Sequence, residues 1–161
     1  ADGSAQDIAG FSHGALDPGK SWFAPGAVGQ AFSLDGQDDF IPLGVTAAVL
    51  GQGPFTVEAW IRTVDDQGVI VQQRGSGYDG QYVLSVGGLW TTAAGKACWS
   101  TFGDGQFGFD FCSTTTVNDG AWHHVAGVRE LDGTADIVKR DYRCAAEGLG
   151  RRRDKHRGGE R

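Results

Sequence analysis

Three carboxylates fall within residues 35–39, Asp-Gly-Gln-Asp-Asp, and this is the densest chemistry in the sequence. A hard cation such as calcium takes about six to eight oxygens from carboxylates and loop carbonyls. Asp35, Asp38 and Asp39 are therefore candidate Ca2+ ligands. The competing assignment is structural: Asp beside a Gly turn accepts backbone hydrogen bonds and caps the turn. His123 and His124 are adjacent. A zinc site needs further His or Cys at ligand spacing, and His13 and His156 are remote in sequence. Neighbouring residues on a strand point to opposite faces, so one ring goes inward, one outward, and both are assigned to the framework. The G-x-S-x-G spelling at Gly10-Phe11-Ser12-His13-Gly14 is not set in the strand-to-helix turn that a nucleophile elbow needs. Among the aromatics, Trp90, Tyr78 and Trp22 lie near loops or strand ends, where a ring beside polar groups can act as a stacking platform for a ligand. Trp60, Trp99 and Trp122 are expected to serve the core or the cross-strand ladders.

These groups have to be positioned by strands. The chain holds 27 Gly, far above the average share of about 7 %, and its apolar runs are short and separated by Gly and Asp turns. Phe55–Arg62 is the clearest case: Phe55, Val57, Ala59 and Ile61 alternate with Thr56, Glu58, Trp60 and Arg62, the period of a half-buried strand. Further strands are expected at Gln30–Leu34, Phe40–Pro42, Gly68–Gln73, Gln81–Val86, Leu89–Thr92, Ala97–Phe102, Phe107–Cys112 and Trp122–Arg129. No segment keeps a helical apolar period over three turns. Closely spaced strands with turn signals between them predict an all-β sandwich or barrel.

One hairpin can be registered by counting. If Asp104-Gly105-Gln106 is a three-residue loop with Gly in the left-handed region, Gly103 faces Phe107. Counting outward then sets Trp99 opposite Phe111 and Cys98 opposite Cys112. Facing strand residues lie within disulfide range, so a Cys98–Cys112 bridge is expected, and with it an oxidising compartment. Two buried free thiols are the alternative.

Charge divides the chain. Residues 1–138 carry 5 Lys+Arg against 16 Asp+Glu, a net of −11, whereas residues 139–161 carry 9 against 4, a net of +5. An acidic body argues against nucleic acid as a partner, because phosphate binding needs a basic face. No apolar run is long enough to cross a bilayer as a helix, so membrane insertion is not expected. From Lys139 the strand signals stop and Arg151-Arg152-Arg153 appears. This basic tail is expected to be disordered, or not native to the fold; a polyanion-binding arm is the functional alternative. The chain has no Met and no basic-then-apolar leader. The expectation is a piece covalently part of a larger, multidomain protein.

Three stretches carry a family likeness: GAVGQAFSLDGQDDFI at 26–41, GPFTVEAWIR at 53–62 and VNDGAWHHVAGV at 117–128. Their order and spacing resemble the laminin-G-like (LamG-like) jelly-roll domains of the concanavalin A-like lectin/glucanase superfamily, over about residues 1–138. The resemblance implies a two-sheet antiparallel jelly-roll sandwich, incomplete at both ends: the family's opening strand is missing, and after Asp132-Gly133 the expected "LYVDG" strand gives way to Val138-Lys139-Arg140. It also implies a non-catalytic binding or adhesion module, extracellular or at the cell surface, with a glycan or an extracellular protein as partner and carbohydrate as the first candidate ligand. A structural spacer without a ligand is the alternative. A truncated glycoside hydrolase is the second alternative, but retaining hydrolysis needs two acids about 5–5.5 Å apart. The E-x-D-x-x-E signature is absent, Glu58 stands alone on its strand, and Asp38-Asp39 and Asp65-Asp66 sit at turns.

Overall fold

The computed structural model describes residues 3–8, 10, 12–44, 53–74, 81–103, 106–129 and 142–147. Among the described residues there is no helix. The strands are β1 (Phe23–Pro25), β2 (Gln30–Phe32), β3 (Phe55–Ile61), β4 (Gly68–Gln73), β5 (Tyr82–Val86), β6 (Lys96–Gly103), β7 (Gln106–Thr116), β8 (His123–Arg129) and β9 (Tyr142–Glu147). They form a β1–β2 hairpin, a three-stranded sheet in the order β3-β8-β9 and a four-stranded sheet in the order β4-β5-β6-β7. Every pairing is antiparallel.

Apolar alternation decides which faces meet. Along β3 the odd-numbered residues are half-buried and the even-numbered ones exposed. Phe55, Val57, Ala59 and Ile61 pack on a core of Tyr82, Leu84 and Val86 from β5, Ala97 and Trp99 from β6, Val117, and Val125 from β8. β5 is buried at every residue, so its inward Leu84 and its outward Val83 and Ser85 are both covered. The centre of the interface is aromatic. Trp99 stacks on Tyr82 at 5.5 Å, Phe55 meets the Trp99 ring edge-on at 5.8 Å, and Phe55 and Tyr82 are 5.4 Å apart. Such pairs contribute about 0.5–1.5 kcal/mol each beyond area burial.

The two sheets approach where β8 has no side chain. A Cβ on Gly127 would run into the Trp99 indole, so Gly at this position gives the ring its seat. Gly127 pairs with Val57, which puts the seat in the middle of the β3–β8 ladder.

The β6–β7 hairpin pairs Trp99 with Phe111 and Cys98 with Cys112, and the two cysteines form a disulfide. At the tip Gly103 faces Gln106 rather than Phe107, because the register slips between Thr101 and Gly103. Residues 104 and 105 lie outside the described residues. A second slip lies between Lys96 and Cys98, at Ala97, whose N–H is met by a side chain of β7. That N–H donates to Ser113 Oγ at 3.1 Å, and the hydroxyl donates to the Thr115 carbonyl at 2.6 Å.

Several expectations need correction. Phe40–Pro42 and Leu89–Thr92 are not strands. The first is loop whose Pro42 carbonyl accepts from the Ala15 N–H, and the second is bent back by Asp110, as described below. Residues 142–147, expected to lie in a tail outside the fold, form β9 along the open edge of β8, from Arg129↔Tyr142 to His124↔Glu147. An unpaired strand edge is a template for any segment that reaches it. Residues 139–141 and 148–161 of the tail lie outside the described residues. Of the Trp residues expected in the core or the cross-strand ladders, Trp99 is fully buried, and Trp60 is a ladder residue, paired with His124 and 46 % exposed on the outer face of β3.

The disulfide closes a sequence separation of 14 residues, and a loop of that size is worth about 3 kcal/mol. Urea unfolding with and without reductant should therefore differ by about that amount. Alkylation without reductant should leave Cys98 and Cys112 unmodified, so that at most one adduct, on Cys144, is added to the mass.

Candidate functional site

The Asp turn is built by reciprocal backbone capture. Gly36 takes a φ of 74°, a left-handed conformation that a residue with a Cβ rarely adopts. The chain then folds back so that Asp35 Oδ1 accepts from the N–H groups of Gln37 at 2.9 Å and of Asp38 and Asp39 at 3.4 Å each. In return, Asp39 Oδ2 accepts from the Asp35 N–H at 3.0 Å. The Gln37 N–H, followed by those of Asp39 and Asp38, holds the Asp35 carboxyl below its usual range.

A second turn brings a cation to the first. The Asp17 carboxylate accepts from the Gly19 N–H at 2.9 Å, and the Asp17 carbonyl accepts from the Lys20 N–H at 3.3 Å and from the Trp22 indole N–H at 2.7 Å. Lys20 is thereby aimed back over the Trp22 ring, 5.8 Å from its centroid. Its ammonium donates to Asp39 Oδ1 and lies 3.5 Å from Asp38 Oδ1. The Asp39 hydrogen bond raises the Lys20 pKa above its usual value, with the charges of Asp38 and Asp39 adding to it.

These two turns enclose a groove of about 380 Å³, lined by Leu16, Lys20, Trp22, Asp38, Asp39 and Phe40 among others. Its volume lies in the range of small-ligand clefts, ~300–1,000 Å³. It offers one ammonium, the exposed Asp38 carboxylate and the Phe40 ring, which is 72 % exposed.

The structure thus brings together two of the expected sets. Trp22 and the Asp turn share one groove, although Trp22 is itself only 6 % exposed. Its indole is a wall anchored to Asp17 rather than an open platform, because the ring is buried and its N–H is held by the Asp17 carbonyl. Phe40 is the accessible ring. Asp35, Asp38 and Asp39 bring carboxylate oxygens within 4.8 Å of one another. The cation the geometry gives them is Lys20, and a calcium ion would have to displace its ammonium from Asp39. Lys20 and Phe40 were missed as site residues. The Asp17-Pro18-Gly19 turn just before Lys20 was the available signal, since it sends the following side chain back across the loop.

Trp90 is elsewhere. It is 49 % exposed and sits in the connection between β5 and β6, over the outer face of the four-stranded sheet. Asp110 Oδ2 accepts from the Trp90 N–H at 2.8 Å and the Thr91 N–H at 3.1 Å, while Ser100 Oγ donates to Asp110 Oδ1 at 2.6 Å. Trp90 does not line the groove. Tyr78 lies outside the described residues. The two histidines diverge as the alternation requires: His123 hydrogen-bonds Asp119 at 2.8 Å, and His124 lies 3.4 Å from Glu58 on the outer face.

Two antiparallel sheets closing on an apolar interior define an all-β sandwich of the concanavalin A-like class. A laminin G family model, described as the concanavalin A-like lectin/glucanases superfamily, matches residues 35–138, and the chain belongs to that family. No match is found among curated proteins or among solved structures.

The lowered Asp35 pKa has a definite sign. Its stabilising contribution is present above the unfolded-state value and is lost as pH falls through the lower folded-state value. Thermal melts between about pH 5 and pH 2 should show the wild type losing stability, and Asp35→Asn should flatten part of that slope. Identical slopes would mean that the backbone capture does not persist in solution.

Proposed function

We propose that this chain is a non-catalytic carbohydrate-binding module that works outside the cell or at its surface as part of a larger protein. The groove carries the proposal: the accessible Phe40 ring stands beside Lys20 and Asp38, with Trp22 as the wall behind them, and an aromatic face with adjacent hydrogen-bonding groups matches the apolar face and hydroxyl rim of a sugar ring. Membership of a lectin/glucanase superfamily supports a binding role at the coarse level, and fold alone does not assign chemistry. The disulfide supports an oxidising compartment,.

The acids favour binding over hydrolysis. A glycosidase needs one carboxyl with a raised pKa to act as general acid. Asp35 is held in the opposite direction by backbone donors, and Asp39 is paired with Lys20. Calcium enters as a competitor of Lys20 for the same carboxylates.

A glycan array probed with and without millimolar calcium tests the proposal. At least one glycan should bind, Phe40→Ala should weaken it about tenfold, and Lys20→Ala should make any calcium effect larger. Silence in both arms would favour a spacer without its own ligand. Hydrolysis of a soluble β-glucan by the purified protein would contradict the non-catalytic assignment.

A further inference from the structure

The outer face of the three-stranded sheet carries a second aromatic feature, separate from the groove. Even-numbered residues of β3 point outward, and the register sets Trp60 opposite His124 and Glu58 opposite Ala126. The Trp60 and His124 rings are 5.3 Å apart, and His124 Nε2 lies 3.4 Å from Glu58 Oε2. The indole is therefore flanked by an imidazole that lies beside the Glu58 carboxylate, and the Trp60 side chain is 46 % exposed. Just past the end of β3, the Arg62 guanidinium lies 5.1 Å from the centroid of the Trp122 ring. That pair opens onto a cleft of about 120 Å³ shared with Phe32 and Leu34 at the β1–β2 hairpin.

The shape selects the occupant. With about 3.4 Å per residue and about 4.8 Å between strands, the strip from Glu58 to Arg62 and its β8 partners covers on the order of 150 Å². A stable protein partner needs roughly 800 Å² on each side. The strip by itself falls well short of that area, and it is long, with rings spaced along it and a carboxylate, an imidazole and a guanidinium at its margins. A linear chain of sugar rings has that profile: its apolar ring faces stack on indoles and its hydroxyls reach the polar margins. Charge narrows the class further. The chain carries a net of −6, which disfavours sulfated or uronic polymers at long range.

We propose that Trp60, flanked by His124 beside Glu58, is the stacking platform of a second glycan-binding surface on the outer face of β3 and β8, and that its ligand is an uncharged polysaccharide chain. This rests on the carbohydrate-binding assignment above and extends it from a groove that takes a short sugar to a face that takes a polymer. Aromatic platforms packed against a neighbour bind with little loss of side-chain freedom.

The test uses the full chain with microcrystalline cellulose, insoluble chitin and insoluble xylan in pull-down assays, alongside the short oligosaccharide found on the glycan array. Trp60→Ala should weaken retention on at least one polymer about tenfold and leave the oligosaccharide affinity unchanged. Trp60→Phe, which keeps a ring, should recover part of the loss, and near-UV circular dichroism should show all three proteins folded. Equal retention by Trp60→Ala and wild type would overturn the platform while leaving the groove intact. No retention of any polymer by the wild type would overturn it too. Failure of both polymer and oligosaccharide binding would remove the carbohydrate assignment itself.

Discussion

The structure depends on one contact between its sheets: the Trp99 indole lying over the bare backbone of Gly127. Face-to-face sheets pack about 10 Å apart, and an indole fills most of that distance. A side chain opposite it would have to move or force the sheets apart, and close-packed interiors tolerate neither cheaply. With Gly at this position β8 settles onto the ring, and Phe55 and Tyr82 close around it. The register of β3 on β8 follows. That register turns Trp60 and Glu58 outward beside His124 and sends Ile61, paired with His123, inward. The outer aromatic face is thus a consequence of the inner one.

The four-stranded sheet is secured differently. Its outer surface carries the Cys98–Cys112 disulfide and the Asp110 network, and the connection through Trp90 and Thr91 is tied to that carboxylate by two backbone donors. Acidic side chains recur in this role. Asp17, Asp35, Asp39 and Asp110 each hold a turn by accepting backbone N–H groups. Part of the acidity of residues 1–138 therefore holds loops, and the Lys20 pairing offsets some of the charge around the groove.

Local pattern was legible where a single strand or hairpin decides it. The alternation in Phe55–Arg62 anticipated the two faces of β3, and counting outward from the turn anticipated Cys98 opposite Cys112 despite the slip at the tip. Elements that depend on a distant partner were not legible. The same alternation placed Trp60 with Glu58 and Arg62, yet its exposure depends on which sheet covers which face, and that is decided by Trp99 and Gly127. Tyr142–Glu147 has no strong strand signal and lies in a basic segment; it is a strand because β8 offers an edge. Trp22 looked like a platform from its place beside a loop, but its N–H is taken by the Asp17 carbonyl. Lys20 came to the Asp turn only through the fold of two loops.

The Gly127 seat for Trp99 sets the sandwich, and Gly127→Ala tests this dependence. One added methyl should cost about 1–3 kcal/mol in urea unfolding and weaken the near-UV circular dichroism of the buried aromatic cluster. An unchanged midpoint with an unchanged aromatic signal would contradict the account.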